Sequence, residues 1–285
     1  MRIYDSIASL QKPRKSIVAI GIFDGVHLGH QQLLQQLCIN AKKVGSETII
    51  ITFWPHPRLV LTHTHATPLK ILTTFDEKAA ILARMGIDHV LKIPFTKAFS
   101  QISAHDFVQQ VLVRQVGMTQ LVVGHGHRFG KDRAGNVALL QQAGRYHHFA
   151  VSEVPLKSMH DITISSTKIR ELLLKGDMEQ GGAYLGNPYE MQCSILQQTL
   201  NGDNSLTIHL TASSLYKLIP ADGLYKVQAV HHNAMNEGIL RIVRQHDTLA
   251  PIMELAIANY TSTTLHTHSL RIRFNSNRQN VIPSL

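Results

Sequence analysis

Apolar residues run through Ile17, Val18, Ala19, Ile20 and Ile22, and again through Ile49, Ile50 and Ile51 in the segment TIIITFW. The second run is nearly continuous, as expected of a strand buried on both faces. With 17–23 and 48–54 as the first two strands, further candidates occupy 87–93, 120–124 and 148–154. Between them the period changes. In 30–44 the apolar positions Leu33, Leu34, Leu37, Cys38, Ala41 and Val44 fit a 3.6-residue repeat, and Gly45 supplies a stop. Segment 76–85 begins with acids and ends at Gly86. Segment 103–116 begins at Ser103, an N-cap with Asp106 at the third helical position, and 136–143 is a shorter helix. Strands alternating with helices over short connections predict an α/β fold with a mostly parallel sheet covered by helices. Ligands of such sheets bind beyond the carboxyl ends of the strands.

Two more helices are expected at 166–175 and 177–185, and then the texture changes at Asn187-Pro188. Leu206, Ile208 and Leu210 alternate with polar neighbours. So do Tyr225, Val227 and Ala229, then Met253, Leu255 and Ile257, then Leu270, Ile272 and Phe274. Period-two alternation with turns at Asn201-Gly202-Asp203, Asp222-Gly223 and Asn233–Asn236 predicts an antiparallel sheet or small barrel. The expected organisation is an α/β domain over 1–187 and an all-β domain over 188–285.

Composition narrows the function classes. Hydrophobic residues make up 44% of the 285 and charged residues 16%, which fits a globular chain. No apolar run approaches the ~20 residues a membrane span needs, and the N-terminal stretch MRIYDSIASLQKPRK lacks the apolar core of a secretory signal. Cys38 and Cys193 read as reduced core residues, so a cytoplasmic protein is expected, with no membrane partner. The net charge of +9 favours anionic ligands. Basic residues are scattered and form no nucleic-acid motif, so a small phosphate is expected and a polynucleotide is not. Histidine pairs occur at His63/His65, His125/His127, His147/His148, His231/His232 and His266/His268. No CxxC or HExxH accompanies them, and no resident metal is expected.

Four segments of the first domain carry chemistry. In AIGIFDGVHLGH a strand opens through Phe23-Asp24-Gly25 into a helix start bearing His27, Gly29 and His30. Free backbone N–H groups and the positive end of the helix dipole make such a place an anion site, and two imidazoles add donors. The second segment is Thr52-Phe53-Trp54-Pro55-His56-Pro57, at the end of the second strand. The third runs from Val123 through Gly124, His127, Phe129, Gly130 and Arg133 to Asn136; its glycines do not match the Rossmann fingerprint. In the fourth, Ser165-Ser166-Thr167 open a helix and Lys168 and Arg170 follow, suited to capping or to phosphate oxygens.

Taken together, GIFDGVHLGH, TFWPHP, RFGKDRAGN and ISSTKIRELLLKGDMEQGGAYLG resemble the FMN adenylyltransferase module of the prokaryotic bifunctional riboflavin kinase/FAD synthetase family, closely over 15–187 and loosely beyond. The resemblance implies a Rossmann-like nucleotidyltransferase domain with a parallel sheet, followed by a small antiparallel β-barrel. It implies AMP transfer from ATP to FMN, giving FAD and pyrophosphate, with Mg²⁺ accompanying ATP. His27, His30, Ser166, Thr167 and Arg170 would act on the triphosphate. Phe23, Asp24, Gly25, Gly29, Ser165, Lys168, Phe129 and Arg133 would bind ATP. Phe53, Pro55, His56, Pro57 and His127 would line the flavin side. Gly126 departs from the acidic or amide residue usual in the family.

The resemblance weakens in the second domain. Ile219–Val227 is similar to a strand of the family's riboflavin kinase barrel, and Glu254 falls where its catalytic base is expected. The G-x-P-T-x-N signature is missing: the corresponding stretch reads NGDNSLTIHLTASSLY. A kinase needs a phosphate cradle and metal ligands together, so the expectation is an adenylyltransferase with a degenerate kinase domain. A fully bifunctional enzyme and a flavin- or nucleotide-binding regulatory protein are the alternatives.

Overall fold

In the computed structural model of the chain, Ile49, Ile50 and Ile51 are each fully buried, in the middle of a strand with parallel neighbours on both sides. The structure describes residues 1–61, 69–159, 162–231, 234–245, 250–260, 267–275 and 277–279. Two compact units divide it: Met1–Leu69 with Phe75–Ile164, and Lys70–Thr74 with Ser165–Leu285.

The first unit is built on six parallel strands, β1 (Arg2–Tyr4), β2 (Ser16–Ile20), β3 (Glu47–Trp54), β4 (His89–Pro94), β5 (Gln120–Gly124) and β6 (Ala150–Val154), in the order β1-β4-β3-β2-β5-β6. The five predicted strands are present, and β1 adds a short edge. Alternate side chains enter two separate cores. Val18, Ile20, Ile49, Ile51, Leu121 and Val123 pack on one face with Phe107, Leu112 and Leu140. Ile17, Ala19, Ile50, Val90 and Val122 pack on the other with Leu34, Leu37, Ala79 and Leu82. Fully burying one such aliphatic side chain contributes about 2 kcal/mol, which fixes the register of every strand.

The covering helices are α1 (Leu28–Val44), α2 (Pro57–Leu61), α3 (Phe75–Arg84), α4 (Lys97–Ser100), α5 (Ala104–Asp106) and α6 (Val137–His147). Ser103 caps α5 as expected, accepting from the Asp106 N–H at 3.0 Å. The helix predicted over 103–116 is there, but from Phe107 to Val116 it is a π-helix, ending where the Gly117 N–H reaches the Leu112 carbonyl at 3.0 Å. A small hairpin, β7 (Ser158–Met159) and β8 (Ile162–Thr163), completes the unit.

The second unit holds a closed antiparallel barrel of β9 (Glu190–Leu200), β10 (Leu206–Ala212), β11 (Gly223–His231), β12 (Ala234–Val243), β13 (Ile252–Ile257) and β14 (Ser269–Phe274), in the order β10-β13-β12-β11-β14-β9. All twelve alternating residues named from the sequence are buried. Helices α7 (Ser166–Lys175) and α8 (Met178–Leu185) belong to this unit. The Gly176 carbonyl accepts from the Arg278 N–H at 3.0 Å, and the Glu179 N–H donates to Asn277 Oδ1 at 2.7 Å. The change of texture at residue 187 therefore marks helix giving way to strand, while the compact units divide at Ile164/Ser165.

Residues 70–74 join the same unit. The Ile71 N–H donates to the Tyr216 carbonyl at 2.7 Å and the Leu218 N–H returns to the Ile71 carbonyl at 2.9 Å. Between them the buried Lys217 ammonium donates to the Leu72 carbonyl at 2.7 Å and lies 4.7 Å from the centre of the Tyr189 ring. Both cysteines are reduced thiols, Cys38 on α1 and Cys193 on β9. Among the described residues no helix is long and apolar enough to cross a membrane.

Candidate active site

From β2 the chain steps outward through β3 to β4, then returns to set β5 on the other side of β2. The crevice beyond the carboxyl ends of β2 and β5 is thus the topological switch point, where α/β sheets bind ligands. The loops leaving it, 21–27 and 125–136, belong to two of the four segments that the sequence singles out.

The first loop is strained and buried. Phe23 (φ 52°), Gly25 (φ 82°) and Val26 (φ 41°) all hold positive φ. For the two non-glycines, and above all a β-branched valine, that conformation costs roughly 1–3 kcal/mol each. Burial of Phe23, Asp24 and Val26 holds it in place, as does the Gln31 side chain, whose amide donates to the Val26 carbonyl at 2.9 Å. Gly21 is required by the same turn, since a Cβ there would lie 2.9 Å from the Phe23 ring.

The strained loop delivers His27 as the N-cap of α1. Its Nδ1 accepts from the His30 N–H at 3.4 Å. An accepting Nδ1 puts the ring proton on Nε2, which becomes a donor. The His27 and His30 rings stack with centroids 3.7 Å apart and planes 19° from parallel, and the Phe23 ring meets His30 edge-on at 5.3 Å. Burial, then the neighbouring His27 and Lys78, hold the His30 imidazole well below its ordinary pKa, so it is neutral. Its Nδ1 is buried without a hydrogen-bond partner among the described residues. Gly29 lets the helix start lie close against His27, whose ring would be 3.3 Å from a Cβ.

Sequence reasoning missed Lys78, which sits among acids and alanines in α3 and reads as part of a solvated face. It is 2% exposed, and its ammonium donates to the Ile22 carbonyl at 2.8 Å and to Thr52 Oγ1 at 3.1 Å. Burial lowers its pKa to about 8, opposed by the charge of Asp24.

Beyond β3 an aromatic series begins. Phe53 lies 6.0, 5.7 and 6.4 Å from Phe95, Phe99 and Phe107. Phe107 lies 5.8 Å from Phe129, and Phe129 stacks on His127 at 5.8 Å. The ends of β3 and β5 are thereby linked by contiguous rings. Phe53 is half-buried and packs against the core. Pro55 is exposed and follows a cis peptide bond, the His56 Nδ1 accepts from the Arg58 N–H at 3.1 Å, and Pro57 opens α2.

His127 has its Nε2 buried with no partner, and burial followed by Arg133 lowers its pKa to about 4. Arg133 is exposed, with φ 58°. His125, its neighbour in the sequence, pairs instead with Glu153 at 2.7 Å. The pair His63/His65, and His232 and His266 of two other pairs, lie outside the described residues. Among the described residues no three His, Cys, Asp or Glu side chains are grouped to hold a metal ion.

In the second unit Ser165 caps α7, accepting from the Lys168 N–H at 3.3 Å. Ser166 and Thr167 begin the helix, and Thr167 is exposed. Lys168 forms an i,i+3 ion pair with Glu171 at 3.6 Å. Arg170 is buried, and its Nε donates to the Lys70 carbonyl at 2.7 Å. Glu254, on β13, faces Arg241 across the β12–β13 ladder, 3.4 Å from its Nε. The stretch before β10 is a tight turn in which the Asn201 N–H donates to the Ser205 carbonyl at 2.8 Å.

Residues 9–168 match the FAD synthetase family. Over 231 residues the chain is 35% identical to the bifunctional riboflavin kinase/FMN adenylyltransferase of Buchnera aphidicola subsp. Schizaphis graminum (strain Sg), covering 80% of this chain and 73% of that one. It is 31% identical over 236 residues to the protein so described in Escherichia coli (strain K12), covering 81% and 74%. A solved chain from Streptococcus pneumoniae, described as a macrolide-efflux protein, shares the fold with a TM-score of 0.87 at 21% identity, over 99% of this chain and 92% of its own; at that identity the likeness is one of fold alone. By this family match and these identities, the chain belongs to the FAD synthetase family and is a homologue of the bifunctional riboflavin kinase/FMN adenylyltransferases.

Proposed function

We propose that this chain transfers AMP from ATP to FMN and does not phosphorylate riboflavin. An oxygen of the FMN phosphate attacks the α-phosphorus of ATP. The bond from that phosphorus to the oxygen bridging to the β-phosphate breaks, and pyrophosphate leaves. No covalent intermediate on the protein is needed, so its work is alignment and fixed electrostatics. The observation that carries the reading is the stacked His27–His30 pair on a strained, buried turn at the switch point. It joins an Nε2–H donor to the free N–H groups of a helix start, the arrangement that anions favour.

In this assignment His27 and His30 contact the phosphates, while Phe23, Asp24, Gly25 and Gly29 shape the turn beneath them. Ser165, Ser166, Thr167, Lys168 and Arg170, at the start of α7, are further phosphate-binding residues by the family resemblance, and Phe129 and Arg133 serve the nucleoside. Phe53, Pro55, His56, Pro57 and His127 take the flavin, for which contiguous aromatic rings are a fitting surface. Mg²⁺ arrives with ATP as part of the substrate. The pairing of Glu254 with Arg241 and the missing G-x-P-T-x-N stretch favour a barrel without kinase activity.

The test is to incubate the protein with Mg-ATP and either FMN or riboflavin and to separate the flavins by chromatography. FAD from FMN, with riboflavin unchanged, is the expected result. Robust FMN formation from riboflavin would overturn the second half of the proposal. His30→Ala should slow FAD formation about a hundredfold or more, and near-wild-type turnover in that variant would overturn the first half.

A further inference from the structure

We infer that Lys78 is a positioning residue of the nucleotide site: its ammonium ties the ends of β2 and β3 together beneath the Phe23–Val26 turn and so holds His27 and His30 in register for the phosphates. The inference rests on the proposed binding of ATP at this turn. Three observations support it. The ammonium donates at once to the last carbonyl before the turn, that of Ile22, and to the hydroxyl of Thr52 near the end of β3. Thr52 Oγ1 itself donates to the Ile22 carbonyl at 3.2 Å, closing a three-membered cycle of Lys78, Thr52 and Ile22. The turn that starts at this anchor is strained, with Phe23 and Val26 both at positive φ. Strain of that kind persists only where the surroundings over-determine it, and the cycle is the polar part of that constraint.

A charge is kept at this place although burying one is costly unless it is paired. The charged or titratable groups facing Lys78 are Asp24 in the turn and His30 on α1, and His27 faces His30 in turn. Asp24 favours the ammonium. The ammonium in turn opposes protonation of His30, the same direction in which burial acts. A neutral donor at the end of a long side chain could bridge the same two acceptors but would not supply this second effect. Lys78 thus has two tasks for one ligand: it fixes where the imidazoles stand, and its charge adds to burial and to His27 in disfavouring protonation of His30.

Lys78→Met keeps the length and apolar contacts of the side chain and removes both donors and charge; Lys78→Arg restores charge and donors. With FMN and Mg-ATP, Lys78→Met should raise the KM for ATP about tenfold or more, the loss of roughly one hydrogen-bonded charge, with the KM for FMN within about twofold. Amide hydrogen exchange at Gly25, Val26 and His27 should quicken, and the His30 ring, followed by NMR, should titrate at higher pH. Lys78→Arg should recover part of each change. If Lys78→Met does not fold, Asp24→Asn/Lys78→Met neutralises both charges together and is judged on the same readouts. A folded variant with wild-type KM for ATP and wild-type exchange in the turn overturns the inference, and so does failure of both variants to fold, which would make Lys78 a general stability element. A wild-type protein that neither binds nor turns over ATP instead overturns the proposed function; the exchange and titration readouts then still judge the tie between Lys78 and the turn.

Discussion

His127 replaces charge with a neutral, half-hidden ring, and this has a consequence for folding. Its folded pKa of about 4 lies below the ordinary 6.5. Between those values the unfolded chain binds a proton that the folded chain refuses, so stability is full above the upper value and is lost as pH falls towards the lower one. Two to three pKa units correspond to roughly 3 kcal/mol. His30 is shifted in the same direction and adds to the trend. Urea denaturation at pH 7 and pH 4.5 should therefore show a smaller loss of stability on acidification in His127→Gln than in the wild type. Equal losses would show that the ring is not the source. At this scale the candidate site was only partly legible. His27 and His30 stood out because two imidazoles follow a buried strand at a helix start, although capping, which His27 performs, is another use for such a residue. Lys78 did not, because a lysine beside Asp76 and Glu77 has the look of a solvated helix face, and only the packing of α3 against the turn buries it. Gly126 is intermediate: the space around it is open, but its φ of 70° is a conformation that favours glycine, so a side chain there would strain the backbone rather than clash.

At the scale of elements, the loop after β5 depends on how closely it packs against the start of α5. Gly135 returns the chain to Phe129, the two exchanging backbone hydrogen bonds at 2.9 and 3.2 Å. A Cβ at Gly135 would lie 2.7 Å from the Phe129 ring and 2.8 Å from the Ala104 side chain. Overpacking of this kind typically costs about 1–3 kcal/mol. Gly135→Ala should lower the urea midpoint accordingly and displace Phe129, raising the KM for substrate; an unchanged midpoint would mean that the loop yields without cost. The strands that periodicity identified share a trait: one face is buried and its residues alternate cleanly. β9 and β12 escaped because Leu196 and Leu200, and Met235 and Ile239, place apolar side chains on the exposed face too. β1 is only three residues long, with Ile3 exposed. The π-helix was read as an ordinary helix, since its buried Phe107, Val108, Val111 and Leu112 satisfy either repeat over a single turn.

Over the whole molecule, the two fold classes were legible in the order in which strands, helices and turns follow one another. Which helices belong with which sheet was not. α7 and α8 look like a continuation of the α/β pattern, but they join the barrel unit through hydrogen bonds such as Glu179 to Asn277, whose partners lie 98 residues apart. No local periodicity encodes a contact of that span. The missing kinase signature, by contrast, was plain in the sequence, because a phosphate cradle is a contiguous string.

The segment Lys70–Thr74 gives the barrel unit a discontinuous ancestry. During synthesis, the Leu72 carbonyl emerges 145 residues before the lysine that will donate to it. The barrel unit is therefore not a modular tail that can be cut away at Ser165. A fragment of residues 165–285 lacks the Leu72 carbonyl, which accepts from the buried Lys217 ammonium, and the backbone that pairs with 216–218. It should unfold at a lower temperature than the barrel of the intact chain, as followed by circular dichroism, and a melting temperature equal to the intact barrel's would refute this. Evolution by loss or exchange of the terminal domain would meet the same obstacle, because the earlier domain carries five residues that the later one needs to be whole.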